Sequence, residues 1–217
     1  MTDNTRAGAA IYLPLTLRFY DLVVHGLSNA YAWRCPEREF ITLYDQNVSA
    51  NHLDVGCGTG YLLDHCRFPV AAPQVTLADL NPNSLKWTSR RILRYHPKSY
   101  VAEILKPLPM TEQFNSIGLN YVLHCVPGNL KVKGVAFDYL KDRLRPGGML
   151  FGSTIPYIGV SHNLAARTLM SIYGWIGAFN NKEDSVADLT SELSRRFTQV
   201  KVWTIGSVAL FTARDSA

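Results

Sequence analysis

Long apolar runs are missing from this chain. The most apolar stretch, Ile11 to Leu27, is interrupted by Arg18, Asp21 and His25, far short of the roughly 18 uninterrupted apolar residues that a membrane span needs. No membrane partner is expected. Met1 to Ala10 carries neither an apolar segment flanked by basic residues nor a lipid-attachment motif, so the expectation is a cytoplasmic protein. Cysteine is scarce as well. The 4 residues, Cys35, Cys57, Cys66 and Cys125, are scattered without a C-x-x-C pair, which argues against both a disulfide scaffold and a structural zinc. His65 stands between Asp64 and Cys66, but three adjacent helical residues point in different directions and cannot close around one ion. No metal is expected. Charge of one sign is only modestly in excess, with 22 Lys plus Arg against 17 Asp plus Glu. The densest basic group, Lys86 to Arg94, reads as the solvated face of a helix, so no nucleic acid is expected as partner. Low-complexity tracts and internal repeats are absent too.

What remains is a chain of 217 residues that is 47% apolar, enough to build one large core, whereas two halves would each sit near the lower size limit of a stable domain. A single domain over 1–217 is expected, either monomeric or homodimeric. From about residue 50 onward, strand-like and helix-like periodicities alternate. The expected strands are His52 to Val55, Val75 to Asp79, Tyr100 to Ile104, Phe114 to Asn120, Met149 to Thr154, Val200 to Thr204 and Ser207 to Ala213. The clearest expected helix runs from Leu130 to Leu144, with Val132, Val135, Ala136, Tyr139 and Leu140 on one face and Pro146-Gly147-Gly148 beyond it. Only Ile205 and Gly206 separate the last two strands. A connection that short joins antiparallel neighbours, so the sheet is predicted to be mostly parallel with an antiparallel edge. Residues 1–47 read as an aromatic-rich helical cap, broken at Pro36, and 48–217 as the core.

The first strand runs into Asp54-Val55-Gly56-Cys57-Gly58-Thr59-Gly60 and then a helix-like segment. A strand, a glycine turn and a helix form a cradle for an anion or nucleotide, because glycine lets a ligand approach backbone N–H groups closely. The dinucleotide pattern G-x-G-x-x-G is not matched, since the third glycine comes one residue early and Tyr61 follows it. Nineteen residues after Gly60 the second strand ends at Asp79, where a carboxylate can accept both hydroxyls of a ribose. Glu103 at the end of the third strand is placed to accept from an exocyclic amine, and Asn120 ends the fourth beside the glycine turn.

Together with Leu144-Arg145-Pro146-Gly147-Gly148, these segments resemble the class I S-adenosylmethionine-dependent methyltransferases over residues 50 to 214. The resemblance implies a Rossmann-like α/β fold with seven strands in the order 3-2-1-4-5-7-6, the last antiparallel. It implies S-adenosylmethionine as cofactor and S-adenosylhomocysteine as product, with a site drawn from Asp54, Gly56, Cys57, Gly58, Gly60, Asp79, Leu80, Glu103 and Asn120. Phe114-Asn115 stands where the family usually has Phe-Asp. Within the family, the aromatic cap and the run Asn120 to Gly128 are similar to small-molecule enzymes of secondary metabolism. Asn120 is followed by Tyr121-Val122 rather than by the Pro-Pro-Tyr/Phe signature used on amide or nucleobase nitrogens. The function expected is therefore in-line methyl transfer to an O, N or S of a small aromatic or heterocyclic acceptor. The alternatives are a macromolecular methyltransferase and a cofactor-binding module without turnover.

Roles beyond the cofactor follow from position. His124, just past the fourth strand, is expected as general base with Tyr121 beside it. The acceptor is expected to lie between cap aromatics Tyr12, Tyr20 and Trp33 and the later residues His124, Tyr157 and His162. Cys57 lacks a neighbouring base and reads as a small turn residue rather than a nucleophile.

Overall fold

The computed structural model describes residues 28–216; Tyr12 and Tyr20, with the rest of the cap before Ser28, lie outside the described residues. Beginning after Pro36, α1 spans Glu37–Asn47, and β1 (Asn51–Val55) leads through the glycine loop to α2 (Tyr61–His65). Then come β2 (Gln74–Asp79), α3 (Pro82–Arg91), β3 (Lys98–Val101) and β4 (Phe114–Asn120). Two short helices, α4 (Leu130–Lys133) and α5 (Val135–Lys141), precede β5 (Leu144–Thr154). The chain closes with α6 (Leu164–Trp175), α7 (Val186–Ser194), β6 (Gln199–Ile205) and β7 (Val208–Arg214).

Seven strands form one sheet in the order β3-β2-β1-β4-β5-β7-β6. The pairs among β1 to β5 are parallel, and β7 runs antiparallel to both β5 and β6. Because side chains alternate along a strand, β1 sends Leu53 and Val55 to one face and His52 and Asp54 to the other. The first face packs with Ile117, Phe137, Leu140, Leu189, Leu193 and Phe211, so α4, α5 and α7 cover it. The second packs Leu77 and Phe151 with Phe40, Tyr44, Leu63, Leu85 and Met170, from α1, α2, α3 and α6. Every element therefore holds the C-terminal ends of β1, β2 and β4 side by side, the position where open α/β sheets take ligands.

Three expectations need correction. The helix predicted from Leu130 to Leu144 is broken at Gly134, because Glu192 of α7 reaches into that turn; a Cβ on Gly134 would stand 2.5 Å from its Oε2. Pro146-Gly147-Gly148 accordingly lies inside the long β5, where the pairing with β4 shifts register between Phe114 and Ser116. The third strand ends at Val101 rather than Ile104, since pairing with β2 stops at Asp79 and the chain then turns through Glu103 and Lys106. The final turn is Gly206-Ser207, one residue later than expected, and the Ser207 N–H donates to the Trp33 carbonyl at 2.8 Å. The hairpin thus fastens the end of the cap to the sheet.

Candidate active site

The glycine loop leaves β1 with Gly56, Gly58 and Gly60 all at positive φ, between 53° and 73°. Two of the three are also fixed by crowding. A Cβ on Gly56 would meet Val122 at 2.1 Å, and one on Gly60 would meet Thr88 at 2.7 Å. Gly58 differs. Among the described residues no atom beyond its chain neighbours lies within 4 Å of the place where its Cβ would stand, and it borders a cleft on either side. Thr88 Oγ1 donates to the Gly58 carbonyl at 3.1 Å and Gly56 N–H to the Ala78 carbonyl at 2.8 Å, which hold the loop against β2 and α3.

The larger cleft, of about 780 Å³, is walled by Val55, Ala78, Leu80, Ala102, Val122 and Val126, with Asp79 and Glu103 as its carboxylates. Asp79 accepts from Asn81 N–H at 2.8 Å and, at 3.5 Å, from Gly58 N–H. Burial, reinforced by the charge of Asp54, pushes its carboxyl up to about 6. Glu103 pairs with Lys106 at 2.6 Å from the loop beyond β3. Leu80 follows Asp79 directly along the same wall.

The smaller cleft, of about 490 Å³, lies on the other side of the loop and is bounded by Tyr44, Asp54, Cys57, Thr59, Asn120 and Tyr121. Asn120 accepts from Ser153 Oγ at 2.9 Å, while its buried Nδ2, near the Tyr44 hydroxyl, makes no hydrogen bond of good geometry among the described residues. Asp54 is 3% exposed and accepts from the Tyr44 hydroxyl at 2.6 Å. The Cys57 thiol is raised well above its ordinary value by burial and by Asp79, so it stays protonated and is no nucleophile.

Tyr121 joins the two clefts. It holds a positive φ of 55°, rare for a bulky residue, with its hydroxyl donating to Asn29 Oδ1 at 2.9 Å and its ring edge-on to Phe40. His124 stands behind it. The imidazole is 3% exposed, borders neither cleft, and packs on Phe179 at 4.5 Å. Burial, with Lys133 adding to it, lowers this histidine to about 3, which leaves a neutral ring of very low basicity at pH 7. Trp33 is 2% exposed and stacks on Phe179. Tyr157 and His162 pair with each other at 5.8 Å, and His162 Nε2 lies 3.2 Å from the Tyr157 carbonyl, away from both clefts. The structure therefore gathers Asp54, Gly56, Cys57, Gly58, Gly60, Asp79, Leu80, Glu103, Asn120 and Tyr121 around one loop, and leaves Trp33, His124, Tyr157 and His162 outside it. Sequence reasoning missed Tyr44 and Val122 as cleft residues, because only tertiary packing brings α1 and the segment after β4 to the loop.

Comparisons with known proteins agree with this architecture. The pattern of the methyltransferase domain family matches residues 53–150. The chain is 41% identical over 207 residues to demethylluteothin O-methyltransferase of Streptomyces thioluteus, covering 95% of this chain and 90% of that protein. It is 34% identical over 212 residues to the physcion biosynthesis cluster O-methyltransferase of Aspergillus chevalieri, with 96% and 95% covered. Among solved structures, the complex of DhpI with S-adenosylhomocysteine covers 100% of this chain and 98% of its own, at a TM-score of 0.71 and 14% identity, a likeness of fold. Strand order, glycine loop and relatives together make the chain a member of the class I S-adenosylmethionine-dependent methyltransferases that act on small molecules.

Proposed function

We propose that the two clefts divide the cofactor between them, adenosine in the larger and the methionyl end in the smaller, with Gly58 at the crossing. The observation that carries this reading is the open space at Gly58, a positive-φ glycine with no described residue beyond its chain neighbours within 4 Å of its missing side chain. Other walls fit the same division. Asp79 is the acceptor for two ribose hydroxyls, Glu103 and Leu80 border the adenine, and the Asn120 Nδ2, unsatisfied among the described residues, and the Asp54 carboxylate suit an α-carboxylate and an α-ammonium. When bound, S-adenosylmethionine supplies an activated methyl group, so the chain itself needs only to align, dehydrate and neutralise.

Tyr121, at the junction and held by Asn29, is the residue that orients the acceptor across from the methyl donor. His124 does not take the proton. A ring with a value near 3 is a poor base at neutral pH, and an acceptor hydroxyl acidic enough to ionise near neutrality needs none. We therefore read the acceptor as a phenol or hydroxylated heterocycle methylated on oxygen, with Trp33, Tyr157 and His162 outside both clefts. Relatives named as O-methyltransferases support oxygen as the target. The test is a panel of phenols, hydroxy heterocycles, thiols and azoles incubated with labelled cofactor and read by mass. Label on phenolic oxygen is the expected result. Transfer to nitrogen alone, or to no small molecule, overturns the reading.

A further inference from the structure

Behind Asp54 lies a chain of buried hydrogen bonds that nothing in the transfer itself calls for. His52 and Asp54, two apart on β1, point to the same face. His52 is fully buried, with its Nε2 3.5 Å from Asp54 Oδ2 and its Nδ1 2.8 Å from Ser116 Oγ. Ser116 is the residue paired with His52 on β4, and it accepts from Ser49 N–H at 2.9 Å. Ser49 Oγ donates to the Asn51 carbonyl at 2.8 Å, which commits its only hydrogen. Ser116 Oγ also lies 2.8 Å from Ser49 Oγ, so its hydrogen has two acceptors within reach; the Asp54 carboxylate, which only accepts, favours the tautomer with the imidazole proton on Nε2, and Nδ1 then accepts from Ser116. In that tautomer Ser49 N–H, the Ser116 hydroxyl and His52 Nε2–H follow one another toward the carboxylate, an arrangement in which each bond polarises the next.

The fold makes room for the row. Gly118 pairs with Asp54 across the sheet, and a Cβ there would stand 3.0 Å from Asp54 Oδ2, 3.3 Å from the Tyr44 hydroxyl and 3.3 Å from His52 Cε1. Three aromatic contacts hold the imidazole in place, with Tyr44, Phe68 and Phe151 at 5.8 to 6.2 Å. Burial and the charge of Asp54 raise the Tyr44 hydroxyl well above its ordinary value, so it too remains a donor. Both donors converge on Oδ2. No described residue donates to Oδ1.

We infer that Tyr44, His52 and Ser116 are positioning residues for cofactor capture: by fixing Asp54 through Oδ2, they present Oδ1 to the α-ammonium group of the methionyl end. The inference rests on the division of the cofactor between the clefts given above. It is tested by titrating the full chain with S-adenosylhomocysteine and with 5′-methylthioadenosine, which has the same nucleoside but no amino acid end. Tyr44→Phe keeps the ring contacts and His52→Leu keeps apolar volume, so both variants fold. Loss of a hydrogen bond to a charged group predicts that S-adenosylhomocysteine affinity falls by about 10- to 100-fold in Tyr44→Phe, and by about 3- to 10-fold in His52→Leu, whose bond is longer. Affinity for 5′-methylthioadenosine stays as in the wild type. Equal losses on both ligands, or none, overturn the inference, because a merely structural role would not distinguish them. Asp54→Asn separates this from failure of the underlying reading. A split between the ligands in Asp54→Asn with none in the other two overturns the positioning role alone; no split in Asp54→Asn removes the cleft assignment and the positioning role with it.

Discussion

Among the described residues burial raises two carboxyls, Asp79 and Asp184, and their neighbours make opposite use of it. Asp184 sits with Lys133 at 2.6 Å, both side chains fully buried, and Lys133 also donates to the Asn180 carbonyl at 2.8 Å. The Asp184 carbonyl accepts from Tyr157 and Ile158 N–H, so the pair pins the segment after β5 to α4. Asp79 has no counter-ion among the described residues. Two backbone N–H groups and a thiol face it, and its open side is the larger cleft. One buried carboxyl is matched within the fold. The other faces an open cleft, and on the function proposed above that difference separates a structural clamp from a binding group.

The sharpest way to break this contrast is Lys133→Met, which strands Asp184 without its partner. Stability to urea should fall by about 3 to 5 kcal/mol, while affinity for S-adenosylhomocysteine in the folded protein changes less than about threefold. A matching loss of affinity would merge the two regions into one. Gly58→Val tests the cleft from the other direction, since a branched side chain at positive φ costs about 1 to 2 kcal/mol and fills the space the ligand needs. Calorimetry should show affinity down by about 50-fold or more. Retained affinity would move the ligand elsewhere.

Asp79→Asn sharpens the comparison further, because it should weaken the cofactor and strengthen the empty protein. Affinity falls by about 10-fold with the loss of a charged acceptor. A carboxyl whose folded value is raised favours the protonated fold. Its contribution to stability is therefore complete below the unfolded value near 3.9 and is lost as pH rises through about 6. Above pH 6 the asparagine variant should melt at a higher temperature than the wild type, with the advantage disappearing by pH 4. With ribose hydroxyls on the ionised form, wild-type affinity should decline by about tenfold in all as pH falls through 6 and then level off near that of the variant, whose affinity stays level throughout. The smallest catalytic effect belongs to His124→Leu. Turnover should stay within about threefold of wild type and the pH profile should follow the acceptor, whereas a general base would contribute at least about 100-fold.

Much of this was legible beforehand, and for physical reasons. Glycine spacing, the carboxylate ending β2 and the two-residue return of the last hairpin are local constraints that sequence carries directly, and they placed the sheet, the loop and Asp79. Positions that depend on distant packing were not legible. His124 follows a strand as a base would, but Phe179 and Lys133, each far along the chain or on another element, bury and depress it. Trp33 looks like a recognition aromatic until Phe179 covers it. Tyr44 reads as cap, yet its hydroxyl reaches Asp54. The spacing of His52 and Asp54 was a usable signal, since two polar residues at i and i+2 in an otherwise apolar strand share one face.

The place of β7 has a consequence for how the chain folds during synthesis. It follows β6 in the chain yet lies between β5 and β6, and the turn just before it carries the bond to Trp33. Strands β1 to β4 can pair in the order in which the ribosome releases them, but the open edge of β5 and all of β6 must wait for Val208–Arg214. Until then a nascent chain displays an unpaired edge, the feature that invites association with other chains. A chain cut short within its last ten residues should therefore keep a nearly complete set of cofactor-binding residues and still be lost to aggregation or degradation.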